Sequence, residues 1–425
     1  MLTAEQNALI TQTGPGTPGG KLFRCYWQPV ALSEELPPDG APIPVRVLGE
    51  DLVLFRGEDG LPGLLGLRCS HRGTDLSYGR VEDGGLRCLY HGWLYDRSGR
   101  CLEQPGEPAG SDFKDKIRHP AYPCHETGGA IFAYMGQGEP PAFPAYEFLT
   151  APEEKRWCTK FYTECNYLQG NEGNIDPQHL SFLHRNFRDP EWLDRRVPGS
   201  EATSNDLFGR DVRPTIEIEE TEFGVRIYSV RRADEGHNYV RISNFIMPNA
   251  AAFPGVTEAD GYQAHIHVPI DDAHHWKYVF NFKRSGPIDK AWMEQAIFQQ
   301  MERPYHLARN ARNRYLQDRE EMKTQSFTGM GSFDFQSQDK FAVESQGPVQ
   351  DRTTERLGTT DRAIIAARQQ LLAAVRDVEE GRTPRHVVRR GRFEDVDREI
   401  VVTAEAVPAD VDWKTFWRQP AVAAT

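Results

Sequence analysis

CSHRG at residues 69–73 and CLYHGW at residues 88–93 each place one cysteine and one histidine beside a glycine. The four candidate metal ligands are Cys69, His71, Cys88 and His91. Two thiolates on one iron and two imidazoles on the other can hold a [2Fe–2S] cluster, with a reduction potential above that of an all-cysteine cluster. Zinc also accepts two cysteines and two histidines, but zinc fingers pair like with like. The mixed pairs therefore favour the iron–sulfur cluster and leave structural zinc as the alternative.

The complete pattern, C-x-H-x₁₆-C-x₂-H, resembles the motif of the Rieske iron–sulfur family. High-potential members of that family carry an extra cysteine in each loop, and the two cysteines form a disulfide. This chain has Ser70 in the first loop, and Leu89 and Tyr90 in the second. The difference indicates the lower-potential Rieske type that oxygenases use.

Composition and charge restrict the class of protein. The chain has 425 residues, which predicts two or three domains, and its net charge is −12. This charge argues against nucleic acid or an anionic membrane as the main partner. We expect neither a membrane span nor a secretory signal, and we expect a cytoplasmic location. The five cysteines outside the two motifs are expected to be reduced: Cys25, Cys101, Cys124, Cys158 and Cys165.

The pattern of apolar runs predicts two domains. Short runs broken by turn residues over 43–136 predict a small antiparallel β-domain that contains all four cluster ligands. The proline-rich stretch GEPPAFPAYEF (138–148) marks a boundary, so we predict domains at 1–145 and 146–425. The second domain is expected to be α+β, with one antiparallel sheet and helices packed on it.

Individual elements can be placed in the same way. A helix is predicted over 3–12, and GPGTPGG (14–20) is interpreted as a loop rather than a dinucleotide site, because it follows a helix. Strands are predicted between 213 and 285, with helices near 290–318 and 361–380.

A second candidate metal site lies in EGNIDPQHLSFLH (172–184). His179 and His184 would point about 140° apart on a regular helix, so they converge only if the helix is widened or broken. The alternative is that Asp176 and Pro177 begin an ordinary helix that contains both histidines. Two histidines and one carboxylate form the facial triad that binds Fe(II) in non-haem oxygenases.

The D-x₂-H-x₄-H pattern downstream of the first motif resembles the catalytic α subunits of Rieske non-haem iron aromatic-ring oxygenases. GPGTP, VPIDD and ESQGP occur in the expected order, and Glu172 favours the phthalate dioxygenase-like branch. The resemblance implies an N-terminal antiparallel-β Rieske domain. It also implies a C-terminal catalytic domain with a curved antiparallel sheet flanked by helices, a helix-grip-like fold.

The resemblance also implies the roles of individual residues. His179, His184 and Asp339, the last in QSQDKFAVESQGP (336–348), would bind the mononuclear iron, with Asp334 and Glu344 as alternatives to Asp339. The family further implies a homotrimer. In it, the Asp176 carboxylate would link His179 to His71 or His91 of the neighbouring subunit as the electron-transfer bridge.

The implied function is that of a terminal oxygenase, which uses O₂ and electrons from a separate flavin- or ferredoxin-type reductase. It would dihydroxylate, hydroxylate or O-dealkylate an aromatic substrate, such as a phthalate-like aryl carboxylate or a phenoxybenzoate-like aryl ether. Arg241 is the candidate carboxylate ligand, with an exposed strand arginine as the alternative. Two other functions remain open: an O-demethylase of methoxylated aromatic acids, and a Rieske electron-transfer protein without oxygenase activity. No metal role is assigned to four further histidines: His265, His267, His274 and His275.

Overall fold

The fold is taken from a computed structural model of the chain. The structure describes residues 1–187, 196–255, 260–298, 300–387 and 400–418. No helix within these ranges combines the length and the apolar character needed to cross a membrane.

The N-terminal part consists of two helices and small antiparallel sheets. The helices are α1 (Ala4–Thr11) and α2 (Pro18–Phe23). The strands are β1 (Trp27–Leu32), β2 (Ile43–Val47), β3 (Glu50–Arg56), β4 (Pro62–Gly66), β5 (Arg80–Glu82), β6 (Gly85–Arg87), β7 (Leu94–Tyr95), β8 (Cys101–Glu103), β9 (Ala121–Tyr122), β10 (Cys124–Thr127) and β11 (Ala130–Tyr134). They pair in the orders β1-β11-β10, β2-β3-β4-β9 and β5-β6-β7-β8. The antiparallel β prediction is therefore confirmed, and the two ligand loops follow β4 and β6.

The C-terminal part is built on one large sheet. Its helices are α3 (Glu147–Thr150), α4 (Tyr167–Asn174), α5 (Ser204–Arg210), α6 (Lys290–Phe298), α7 (Glu321–Thr324), α8 (Phe335–Glu344) and α9 (Arg362–Glu379). Its strands are β12 (Arg156–Thr163), β13 (Thr215–Glu220), β14 (Gly224–Arg232), β15 (His237–Ile246), β16 (Ala250–Phe253), β17 (Gly261–Asp271), β18 (His274–Lys283), β19 (Met301–Arg303), β20 (His306–Leu307) and β21 (Thr403–Pro408). The sheet order is β12-β18-β17-β16-β15-β14-β13, and β21 pairs with β15. This confirms the α+β architecture.

Helix α9 packs against the sheet through an alanine-rich face. Leu371 and Val375 are fully buried there, and the small side chain of Ala367 allows close approach. Ile365, which the apolar pattern would place on this face, is 36% exposed. The helix ends where the sequence predicts, because Gly381 has a φ of 75°, a left-handed conformation that glycine adopts without a steric penalty.

Two of the predicted elements differ from the structure. The helix predicted near 290–318 is α6 alone, followed by the β19–β20 hairpin, and Pro304 in the hairpin turn cannot continue a helix. The segment 14–20 is only partly a loop, because Thr17 caps α2 and Pro18 stands in its first turn. The predicted N-terminal helix is confirmed, including the capping box between Thr3 and Gln6.

Helix α4, which leads into the second candidate site, is held by buried ion pairs. Glu172 pairs with Arg352 at 2.9 Å and with Arg368 at 2.6 Å. Arg368 also pairs with Glu355 at 2.5 Å. Burial alone would raise the pKa of Glu172, but the two guanidinium groups outweigh it and lower the pKa. The helix is thus fixed to α9 and to the segment after α8.

We expect Glu172→Gln to destabilise the catalytic domain by about 3 kcal/mol, because it leaves the buried Arg352 guanidinium without a counter-charge and Arg368 with only one of its two carboxylate partners. The measurement is the denaturant midpoint followed by circular dichroism. Glu320→Gln, at an exposed pair with Lys323, is the matched control and should cost less than about 0.5 kcal/mol. Equal effects in the two variants would show that the buried network does not stabilise α4.

Candidate active site and metal centres

The two ligand loops adopt the same turn. The backbone N–H of Gly73 donates to the carbonyl of Cys69 at 2.8 Å, and that of Gly92 donates to the carbonyl of Cys88 at 3.0 Å. Both glycines have left-handed φ values, 73° and 76°. The loops therefore bring the two predicted pairs together from either side of one position.

Sulfur and nitrogen ligands are separated by depth. The two cysteines are each 3% exposed, whereas the two histidines lie at the surface with ring centroids 4.4 Å apart. No disulfide joins any of the seven cysteines. Among the described residues, three or more metal-ligand atoms within 4.8 Å of one another occur at the second site, which is described below. The four cluster ligands do not form such a group. A single zinc ion, with bonds of about 2.0–2.3 Å, would gather its ligand atoms more closely. Two pairs at two depths fit a two-iron cluster instead.

Several neighbouring side chains contact the cluster loops. The hydroxyl of Tyr95 lies 3.2 Å from Cys69 Sγ, and the Trp93 ring stacks on His71 with centroids 4.5 Å apart. His119 connects Ser70 Oγ, at 2.7 Å from Nδ1, to the Gly66 carbonyl, at 2.7 Å from Nε2. Hydrogen bonds to cluster sulfur ligands raise the reduction potential, so Tyr95 would raise that of a cluster held by Cys69. Sequence spacing gave no indication of Tyr95 or His119, because Tyr95 lies on β7 and His119 in the segment before β9.

The second site forms where α4 stops. After Asn174 the chain follows short turns with a 3₁₀ helix at His179–Ser181. The regular helix is broken, and the rings of His179 and His184 meet with centroids 4.9 Å apart. Asp339 on α8 completes the group, since His184 Nε2 lies 2.9 Å from its Oδ1. The three ligand atoms all lie within 4.8 Å of one another.

The two alternatives to Asp339 face other partners. Asp334 caps α8 through Ser337 N and pairs with Arg309 at 3.3 Å. Glu344 accepts a hydrogen bond from Tyr315 at 2.6 Å and pairs with Lys340.

The three side chains are prepared for a metal ion. His179 Nδ1 is bonded to the backbone carbonyl of Asp176, and His184 Nδ1 to Gln338 Oε1 at 2.7 Å, so both Nε2 atoms are available. Burial would raise the pKa of Asp339, but His184 and Lys277 hold it well below its usual range. Burial lowers the pKa of His179. A carboxylate and neutral imidazoles are the donor set of the facial triad, so the residues fit Fe(II).

Asp176 lies beside the triad but bonds differently from the expectation. Its carboxylate accepts from the Gln178 backbone N–H at 2.7 Å, and its Oδ2 is 3.9 Å from His179 Nδ1, which bonds to the backbone carbonyl instead. Within the described part of the chain, Asp176 forms no hydrogen bond to His71 or His91. A link to a cluster histidine would therefore have to come from another copy.

A cavity of about 670 Å³ opens beside the triad. All three triad residues line it, and so does Arg241, which is only 8% exposed. Apolar side chains form much of its wall: Trp157, Leu180, Phe208, Phe253 and Val279. The exposed-arginine alternative for Arg241 is therefore wrong.

Arg241 has a second arginine behind it. Arg241 donates to the hydroxyl of Tyr239 at 3.0 Å and to the carbonyl of Pro254 at 2.8 Å. Arg231, on the neighbouring strand, is 1% exposed, and burial followed by Arg241 lowers its pKa to about 10. In the ranges that the structure describes, neither guanidinium pairs with a carboxylate. The cavity therefore has a positive end at Arg241, with no carboxylate bonded to it among the described residues.

Comparison with known proteins decides the family. A Rieske [2Fe-2S] domain model matches residues 26–123, and a model described as LigXa C-terminal domain like matches residues 133–424. The chain belongs to the Rieske non-haem iron oxygenases. It is the oxygenase component of such a system and carries a [2Fe–2S] cluster and a mononuclear iron. The zinc and simple electron-carrier alternatives are wrong. Rieske terminal oxygenases work with a reductase or ferredoxin partner.

Individual relatives extend over nearly the whole chain. The phthalate 4,5-dioxygenase oxygenase subunit of Pseudomonas putida is 35% identical, over 98% of this chain and 95% of the relative. Phenoxybenzoate dioxygenase subunit alpha of Ectopseudomonas oleovorans is 33% identical, over 88% and 86%. The solved terminal oxygenase of carbazole 1,9a-dioxygenase from Novosphingobium sp. KA1 has a TM-score of 0.59 at 20% identity, over 91% of this chain and 97% of that one. This last likeness shows the fold.

Gln338 was not found from the sequence, yet it orients His184. We expect Gln338→Leu to weaken iron binding at the triad by roughly 10- to 100-fold, because the imidazole loses the acceptor that fixes its Nε2 toward the metal. Iron content after dialysis against graded chelator measures this. The cluster absorbance is the internal control, and Ser345→Ala at the end of the same helix is the matched variant. Unchanged iron retention in Gln338→Leu would contradict the orienting role.

Proposed function

We propose that this enzyme oxygenates an aryl carboxylate or a carboxylated aryl ether. The observation that carries the proposal is Arg241, a buried cation without a carboxylate partner among the described residues, in the same cavity as His179, His184 and Asp339. When bound, the cluster supplies electrons and the mononuclear iron activates dioxygen. The protein residues bind the substrate, orient its ring and exclude water.

The charge distribution favours an anionic substrate. A buried cation without a counter-charge is costly, and a substrate carboxylate can accept two parallel N–H bonds from one guanidinium. Arg231 adds to the positive potential from behind. The aromatic and aliphatic wall then accommodates the ring, and about 670 Å³ is enough for one or two rings.

The names of the relatives support this substrate class. They include oxygenase subunits acting on phthalate, 3-chlorobenzoate and phenoxybenzoate. A further relative is a 5,5'-dehydrodivanillate O-demethylase oxygenase subunit from Sphingobium, 31% identical over 92% of this chain and 84% of the relative. Dihydroxylation, hydroxylation and O-dealkylation therefore all remain within the proposal, with O-demethylation of methoxylated aromatic acids as the second candidate.

We expect Arg241→Gln to raise KM for phthalate or a phenoxybenzoate by about 10- to 100-fold, because the carboxylate loses a charge-assisted bond. Dimethyl phthalate, which has no charge, should bind the variant and the wild type alike. Arg232→Gln at an exposed position of the same sheet is the control. If phthalate and its dimethyl ester respond equally to Arg241→Gln, the arginine does not bind a carboxylate.

We further propose the assembly that the sequence implies. The enzyme forms a cytoplasmic homotrimer of two-domain subunits (1–145 and 146–425), and a flavin- or ferredoxin-type reductase supplies its electrons. The bond of Asp176 to a cluster histidine would then form between subunits. The support is that the Asp176 side chain, 23% exposed, has no cluster histidine as a partner within its own described chain.

We expect Asp176→Asn to keep about three irons per subunit while turnover falls by roughly 100-fold, because the amide cannot accept from two imidazoles as a carboxylate does. Iron analysis and steady-state turnover with a surrogate reductase measure the two quantities. Asp351→Asn, at an exposed turn, is the control. Full activity of Asp176→Asn would refute the bridging role, and loss of iron would assign the residue to metal binding instead.

A further inference from the structure

We propose that His265 is a specificity-determining hydrogen-bond donor of the substrate cavity, which selects arenes carrying an acceptor oxygen. The inference rests on the proposed function only in taking this cavity as the substrate site. It adds a second polar anchor to Arg241, a neutral one that recognises an ether, alkoxy or carboxylate oxygen on the substrate.

His265 lies on β17 and lines the cavity beside the triad. Its ring is 2% exposed and meets Phe253 edge to face, with centroids 4.7 Å apart. Nδ1 lies 2.9 Å from the amide of Asn174, whereas Nε2 has no hydrogen-bond partner among the described residues. A buried polar atom without a partner is rare, and here it belongs to a ring that lines the cavity.

A chain of hydrogen bonds decides which nitrogen of His265 carries the hydrogen. It begins at the backbone carbonyl of Cys165, which can only accept and lies 2.8 Å from His275 Nδ1. His275 Nδ1 therefore carries a hydrogen. Burial lowers the pKa of His275 to about 3, so the ring is neutral and its Nε2 is a bare acceptor.

The next ring follows from the first. His267 Nδ1 lies 3.0 Å from His275 Nε2, so it must donate. Burial holds the pKa of His267 well below its usual range, so this ring is also neutral and its Nε2 is bare. One terminal amide atom of Asn174 lies 2.6 Å from that bare nitrogen.

The amide of Asn174 must therefore present its NH₂ group. If the oxygen Oδ1 stood at this position, it could only accept, and His267 would need a second hydrogen on Nε2 to donate to it. Burial keeps the His267 ring neutral and so excludes that second hydrogen. Amide oxygen and nitrogen have nearly the same shape, and the surrounding hydrogen bonds decide between them. With NH₂ there, one hydrogen goes to His267 Nε2 and the other to His265 Nδ1.

His265 Nδ1 is then an acceptor, and its single hydrogen is on Nε2. Burial keeps this ring neutral as well, with its pKa well below the usual range. The protein thus holds an N–H on a ring of the cavity wall, with no acceptor among the described residues. A substrate oxygen that meets it gains a hydrogen bond, whereas a methylene at the same place leaves the donor unpaired, a difference of about tenfold or more in affinity.

The test compares pairs of arenes that differ by one oxygen. Methoxybenzene and ethylbenzene form a neutral pair, and the methoxybenzoates and ethylbenzoates with ortho, meta and para substituents form charged pairs. Dissociation constants are measured calorimetrically on the anaerobic holoenzyme. We expect the methoxy member to bind about tenfold more tightly, in methoxybenzene and in at least one benzoate pair, and we expect His265→Phe to abolish that preference.

A second variant tests the hydrogen-bond chain itself. Asn174→Asp places a group that can only accept between the two rings, which moves the hydrogen of His265 to Nδ1 and leaves Nε2 bare. The methoxy preference, measured as the ratio of the two dissociation constants within each pair, should vanish. His237→Phe, at an exposed histidine of β15, is the matched control and should keep the preference.

The outcomes separate the two proposals. If the benzoates fail to bind but methoxybenzene still binds more tightly than ethylbenzene, the proposal of a carboxylate substrate is overturned and the donor role of His265 is supported. Benzoates that bind without any methoxy preference, or a preference that survives in His265→Phe, would overturn His265 and leave the carboxylate proposal standing. A wild-type enzyme that binds none of these arenes would overturn both.

Discussion

The ion pairs of Glu172 with Arg352 and Arg368 fix the position on which the active site depends. They hold α4 against α9 and against the segment after α8, and the chain leaves α4 at Asn174. A rigid end point matters because the next ten residues have little regular structure. Buried guanidinium groups on two different segments define that end point more tightly than apolar packing alone, since an unpaired charge there would be costly.

After this end point, short turns bring His179 and His184 together, which a regular helix cannot do. A regular helix would direct His179 and His184 about 140° apart. The break after Asn174 brings their rings to 4.9 Å, and α8 supplies Asp339 from the other side. Because each imidazole has an oxygen acceptor at Nδ1, the two Nε2 atoms point at one position before any metal arrives. The triad is thus a consequence of where α4 stops and of what surrounds the histidines.

The sequence predicted the features whose residues lie close together in the chain. The features that depend on contacts between distant segments either needed the family resemblance or were missed. The cluster loops could be recognised because the four ligands and the two glycines lie within twenty-five residues. Asp339 needed a family resemblance, since 155 residues separate it from His184. Gln338, Tyr95 and Arg231 act through contacts across elements, and no spacing in the sequence reports them. The helix predicted near 290–318 is correct only for α6, because Pro304 in the following hairpin cannot lie inside a helix.

The histidines of β17 and β18 show how the fold turns strand residues into part of the site. A strand histidine is ordinarily a packing residue, and from sequence these were given no metal role. In the structure α4 lies directly on them, and only a glycine at position 170 permits this, because a Cβ there would stand 2.5 Å from His267 Nδ1 and 2.7 Å from His275 Nε2. The close approach brings Asn174 within reach of His267 and His265. The same helix therefore leads into the triad and, through its last residue Asn174, closes the hydrogen-bond chain that orients the cavity wall. If the triad binds the iron and His265 the substrate, as proposed, metal geometry and substrate recognition both depend on α4, and a sequence change that shifts α4 would affect both.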